Sequence, residues 1–66
     1  MMSLISLKAA RVNAGLNQQE AADAVSISRA TLNNYENNKT IPDIKTAKKL
    51  AALYKMPIDS ISFFEE

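Results

Sequence analysis

A chain of 66 residues holds one domain, near the lower limit at which a single core sustains itself, because so short a chain buries only about 60% of its unfolded surface. Its 47% hydrophobic and 23% charged residues are a globular rather than a disordered composition, and a net charge of +1 gives little overall attraction for polyanions. With no cysteine and no histidine, disulfide staples and Cys/His zinc sites are excluded, and neither a metal nor a cofactor is expected.

Punctuation along the chain predicts five helices and no strand, an all-α fold in a single domain over residues 1–66. The first seven residues are interrupted by Ser3 and Ser6 and follow no basic segment, so they fit neither a signal peptide nor a membrane span and point to a cytoplasmic protein. The first helix is expected over residues 4–14, with Ser3 as N-cap and Gly15 ending it in the left-handed conformation. Its inner stripe is Leu4, Leu7, Ala10 or Arg11, and Ala14. Asn17 caps the second helix, and Glu20 three positions later completes a capping box; this helix ends near Val25.

Ser28 caps the third helix, over about 28–37, and Ile27 before it is spaced to pack on Leu32 as a hydrophobic staple. Residues 37–40 end that helix, with Asn38 able to take the left-handed conformation. Pro42 and the N-cap Asp43 open the fourth helix, whose Ile44, Ala47, Leu50, Ala51 and Tyr54 recur at helical spacing. A break at Met56-Pro57 leaves 58–64 as a short fifth helix.

The third helix is unusual on its outer side. At about 100° per residue, Leu32 and Tyr35 share one face, while Arg29, Ala30, Asn33, Asn34 and Asn37 share the other. A merely solvated face favours Glu, Lys and Gln; Asn is a poor helix former because its side chain competes for nearby backbone groups. Asn does, however, match adenine N6 and N7 in a fork, Arg grips guanine O6 and N7 likewise, and a small apolar side chain such as Ala30 suits a thymine methyl. Taken alone, these residues fit a plain solvated surface about equally well.

Over nearly its whole length the chain resembles the lambda repressor and Cro type of helix-turn-helix domain, also called the XRE type. In the motif that begins at Gln18 the likeness rests on Ala22, Val25, Ile27, Leu32, Tyr35 and the pair Glu36-Asn37. The flanks agree in Leu7-Lys8, Arg11, Gly15-Leu16, Pro42, Leu50-Ala51 and Ile58-Asp59. Departures are Ala21, where a larger apolar residue is common, and Ser26, Asn38 and Lys55, where glycine is common; a thinner contact between the second and third helices and some strain or a shifted turn are expected. Tyr54 stands for a common leucine, with its hydroxyl expected to point to the surface.

The resemblance implies a compact five-helix lambda-repressor-like DNA-binding domain whose third helix enters the major groove. Arg29, Ala30, Asn33 and Asn34 are then the candidates for base contacts, Arg29 having a phosphate contact as its alternative. Backbone contacts are expected from the N-termini of the second and third helices, through Asn17, Gln18, Ser28 and Thr31. Asn37, Lys39 and Thr40 resemble the family's second backbone-gripping segment. Asn17 and Ser28 are equally good as plain caps. Similar domains also pair an Arg with a Glu at the positions of Arg11 and Glu36, a structural ion pair whose alternative is two unrelated surface charges.

Leu53 lies off the main stripe of the fourth helix, and Phe63 and Phe64 are adjacent, which suggests a dimer contact; the alternative is that Phe63 folds over Leu53 and closes the core. A twofold homodimer would set two reading helices about 34 Å apart on a palindromic operator in double-stranded DNA. The function read from the sequence is a sequence-specific transcriptional regulator, a small repressor or Cro-like protein. The other reading is an antitoxin-like protein whose apolar C-terminal patch binds a protein partner while the same helix-turn-helix autoregulates. Scattered carboxylates without histidine or cysteine give no expectation of an enzyme.

Overall fold

Ser6, in extended conformation, accepts a hydrogen bond from the Ala9 N–H at 3.0 Å and so begins helix α1, Leu7–Asn13, in the computed structural model, which describes residues 4–63. The first helix is therefore shorter than the expected 4–14, and its cap is Ser6; Ser3 lies outside the described residues. The cause lies at the other end of the chain. Strand β1, Ile5–Ser6, pairs in parallel with strand β2, Ile61–Ser62, Ile5 standing opposite Ile61 and Ser6 opposite Ser62. The expected fifth helix over 58–64 is instead a single 3₁₀ turn, Ile58–Ser60, running into β2. Ile61 and Phe63 point into the core while Ser62 between them is half-exposed, a period-two pattern that suits β-branched Ile61 to a strand.

Three more helices complete the described residues: α2, Gln18–Ala24; α3, Arg29–Glu36; and α4, Ile44–Leu53. Each starts as its sequence suggests. Asn17 Oδ1 accepts from Glu20 N at 2.8 Å while Asn17 N donates to Glu20 Oε1 at 2.9 Å, closing the capping box. Ser28 Oγ accepts from Thr31 N at 3.0 Å and Asp43 Oδ1 from Thr46 N at 2.8 Å. Hydrogen bonds from the Thr46 side chain and N–H hold the Asp43 carboxyl below its usual pKa.

All four helices end in the same way. Gly15, Ser26, Asn38 and Lys55 take φ of 78°, 62°, 60° and 58°. The following residue in each case donates its N–H back across the last turn: Leu16 to Arg11 O at 3.3 Å, Ile27 to Ala22 O at 3.0 Å, Lys39 to Asn34 O at 2.9 Å and Met56 to Ala51 O at 3.0 Å. These are Schellman motifs, and they satisfy carbonyls the helix would otherwise leave open. The turns have not shifted at the three non-glycine positions; those residues carry the left-handed backbone themselves.

The core comprises Leu7, Ala10, Ala21, Ala22, Val25, Leu32, Ala47, Leu50, Ala51, Tyr54, Ile61 and Phe63, with Leu16, Ile27, Tyr35 and Leu53 packed against it. Leu4 and Ile44, expected on inner stripes, are 55% and 57% exposed, and Ala14 is exposed as well. Leu4 precedes the shortened α1, Ala14 follows its last turn, and Ile44 is the first residue of α4, beyond the reach of the core. Phe63 is 3% exposed, so its ring closes the core and does not offer a free surface to a second chain; Leu53 is half-buried, and Phe64 lies outside the described residues. Tyr54 does not send its hydroxyl to the surface: the residue is 5% exposed and the hydroxyl has no hydrogen-bond partner among the described residues. Burial, with a further contribution from the Glu36 carboxylate, pushes its pKa up to about 12.

Candidate nucleic-acid interface

Helices α2 and α3 are joined by a turn through Val25, the left-handed Ser26 and Ile27, whose N–H bond to Ala22 O folds the chain back before Ser28 starts α3. Leu32 is fully buried and Tyr35 half-buried on the inner side of α3. That rotation leaves Arg29, Ala30 and Asn33 exposed side by side, with Asn37 exposed beyond them and Asn34 half-buried at the edge. The N-terminal ends of α2 and α3 border two open grooves. One, of about 530 Å³, is lined by Lys8, Arg11, Asn17, Gln18, Gln19 and Arg29; the other, of about 430 Å³, by Gln18, Gln19, Arg29, Ala30 and Asn33.

Lys8 and Gln19 were not among the DNA contacts expected from the sequence. Lys8 stands three positions before Arg11 on α1, the spacing that puts two side chains on one helix face, and that was the available signal. Gln19 is the second residue of α2 and carried no signal beyond its neighbour Gln18; its Nε2 donates to Asp23 Oδ1 at 2.8 Å.

Behind this surface lies a buried ion pair. Arg11 Nε stands 2.7 Å from Glu36 Oε2 and its Nη2 3.2 Å from Oε1, while Nη1 donates to Leu16 O at 2.9 Å. The side chains are 9% and 2% exposed. The hydrogen bond to Glu36 raises the Arg11 pKa, partly opposed by burial. One guanidinium thus joins α1, the segment leading into α2, and the last residue of α3. Gln18 adds a third contact, its Nε2 lying 3.0 Å from Glu36 Oε1 and 3.2 Å from Asn33 Oδ1.

The residues expected at the DNA backbone fall into two groups. Asn17, Gln18, Ser28 and Thr31 surround the N-termini of α2 and α3, where the first N–H groups of each helix have no intrahelical acceptor. Asn17 and Ser28 are engaged as caps, and Ser28 Oγ also lies 2.7 Å from Thr31 Oγ1. Asn37, Lys39 and Thr40 are exposed at the opposite end of α3, around the left-handed Asn38. Anions favour helix N-termini through their free donors and dipole, so the first group is chemically suited to phosphate.

The helix-turn-helix family profile matches residues 7–61. The chain is 43% identical over 53 residues to the HTH-type transcriptional regulator ImmR of Bacillus subtilis (strain 168), covering 80% of this chain and 42% of that relative. It is 38% identical over 48 residues to the cryptic phage CTXphi transcriptional repressor RstR of Vibrio cholerae, covering 73% of this chain and 43% of that relative. The chain therefore spans less than half the length of these curated relatives.

Proposed function

The chain belongs to the XRE-type helix-turn-helix family of DNA-binding regulators, and from that premise we propose that it is a sequence-specific transcriptional repressor that lays α3 in the major groove of double-stranded DNA. The observation that carries this reading is the exposed row Arg29, Ala30 and Asn33 on α3, bordered by the open N-termini of two helices. Arg29 reads guanine, Asn33 and Asn34 read adenine, and Ala30 rests on a thymine methyl. Asn17, the backbone N–H of Gln18, Ser28 and Thr31 on one side, and Asn37, Lys39 and Thr40 on the other, hold the phosphates and fix the register. The net charge of only +1 does not itself favour DNA; the positive charge that matters is local, on Arg29 and Lys39 flanking α3.

The operator is palindromic and the protein binds it as a homodimer, with the half-buried Leu53 in the contact between copies. Its place of action is the cytoplasm. The antitoxin-like reading drew on Phe63 and Phe64 as a free apolar patch, and the burial of Phe63 removes one of the two rings from it.

Selection of bound duplexes from a random DNA pool, repeated at several salt concentrations, tests the proposal. The expected result is a short symmetric motif whose preference persists as salt rises. Binding to all duplexes alike, lost as salt rises, would reject sequence-specific reading.

A further inference from the structure

We propose that Gln18, on α2, determines base preference without touching a base, by fixing which way round the Asn33 carboxamide faces the groove. The proposal rests on the reading of α3 as the base-contacting helix. The argument starts at the buried ion pair and runs outward. An ionised carboxylate can only accept hydrogen bonds, and Glu36 already accepts from Arg11 at 2.7 Å and 3.2 Å. The end of Gln18 that lies 3.0 Å from Glu36 Oε1 must therefore be its NH₂ group. That same nitrogen lies 3.2 Å from the Asn33 side chain, so the Asn33 atom facing it must be the acceptor, Oδ1. The two ends of a carboxamide have nearly the same shape; here their order is dictated by a charge that is 2% exposed.

Asn33 itself is exposed. Its Nδ2 is left as a donor to the groove, and Oδ1 keeps a second lone pair beside it. This donor and acceptor, in fixed order, match adenine N7 and N6 on one strand. Inverting the base pair reverses the order of N7 and N6 across the groove, and guanine sets a second acceptor, O6, against Oδ1. Without the donor from Gln18 the amide turns freely and offers either end, so discrimination at that pair weakens while the rest of the motif stands.

The test is binding of duplexes carrying each of the four base pairs at the position that Asn33→Ala relaxes, with wild type, Gln18→Ala and Gln18→Lys compared and thermal unfolding measured on each. Wild type is expected to prefer an A·T pair in one orientation. Gln18→Ala is expected to lower that preference by about fivefold or more, leaving the other positions unchanged. Gln18→Lys keeps a donor between Glu36 and Asn33 and is expected to retain it. Should Gln18→Ala fail to fold, Gln18→Glu, which replaces the donor by an acceptor, takes its place with the same expected loss. An even fall in affinity for all four duplexes, as for a side chain that only touches phosphate, would overturn the relay while leaving base reading by α3 intact. Asn33→Ala relaxing no position while Arg29→Ala relaxes one would overturn the relay alone; neither variant relaxing any position would overturn both.

Discussion

Arg11 and Glu36 meet through two hydrogen bonds, of 2.7 Å and 3.2 Å, between side chains that are 9% and 2% exposed, and this contact ties α1 to the last residue of α3. A buried pair adds little net stability, because desolvation offsets the attraction, but either partner alone is strongly unfavourable. Arg11→Ala leaves the Glu36 carboxylate buried without its cation and is expected to cost about 3–5 kcal/mol in urea unfolding. Replacing both, as Arg11→Met with Glu36→Leu, is expected to restore most of that stability. The double variant should nevertheless bind DNA more weakly, because Gln18 loses its carboxylate acceptor and the end of α3 its tether. Recovery of both stability and DNA affinity would show that the pair does not position the reading helix.

Tyr54 places a hydroxyl in the core with no partner among the described residues. A buried unsatisfied hydroxyl costs stability, so Tyr54→Phe is expected to be neutral or stabilising by about 1 kcal/mol at pH 7. The pH dependence separates the two proteins further. The unfolded tyrosine ionises near pH 10 and the folded one at about 12, so between these values the native state binds more protons and stability falls as pH rises. This contribution is complete below pH 10 and is lost through pH 12, amounting to about 1–3 kcal/mol. Urea unfolding of both proteins from pH 9 to 12 should show the advantage of Tyr54→Phe growing over that window. A constant difference would mean the hydroxyl reaches solvent.

Ser26 and Lys55 carry a left-handed backbone at φ 62° and 58°, where a side chain is disfavoured. Ser26→Gly and Lys55→Gly should each stabilise by about 1 kcal/mol, raising Tm by roughly 4–8 °C in a domain of this size. The converse control is Gly15→Ala, at φ 78°, where an added Cβ meets no atom within 4 Å. Any loss there is a backbone effect, and about 1 kcal/mol is expected. Thermal scans of the three variants check the argument; a Tm unchanged by either glycine would show that the turn residues are not strained.

The parts of the fold legible in the sequence were those decided within a few residues. Asn17, Ser28 and Asp43 cap helices by bonding three positions ahead, and Gly15 and Asn38 end them by a backbone preference of their own. What escaped was decided across the chain. Two-residue strands are too short to show a pattern, and the pairing of Ile5 with Ile61 joins opposite ends of the sequence. The outward row on α3 followed from helical rotation alone, because Leu32 and Tyr35 fix which side is inner. The contact of Gln18 with Asn33 did not, since it depends on how closely α2 and α3 pack. The fate of the Tyr54 hydroxyl likewise depends on the neighbours that enclose it.

Arg29 and Lys39 carry the same charge beside the same helix but should fail differently when removed. Arg29 opens α3 with an exposed fork, whereas Lys39 follows the helix as an exposed point charge beyond the left-handed Asn38. A guanidinium gripping guanine O6 and N7 contributes about 1–3 kcal/mol at one base pair, so Arg29→Ala should flatten the selected motif at a single position in each half-site. An ammonium on phosphate contributes no sequence information. Lys39→Ala should weaken all duplexes evenly and reduce the slope of log affinity against log salt by about 1. Titrations of the selected and scrambled duplexes at several salt concentrations distinguish the two. Should Arg29→Ala behave as Lys39→Ala does, Arg29 holds the backbone, and sequence reading falls to the amides of Asn33 and Asn34.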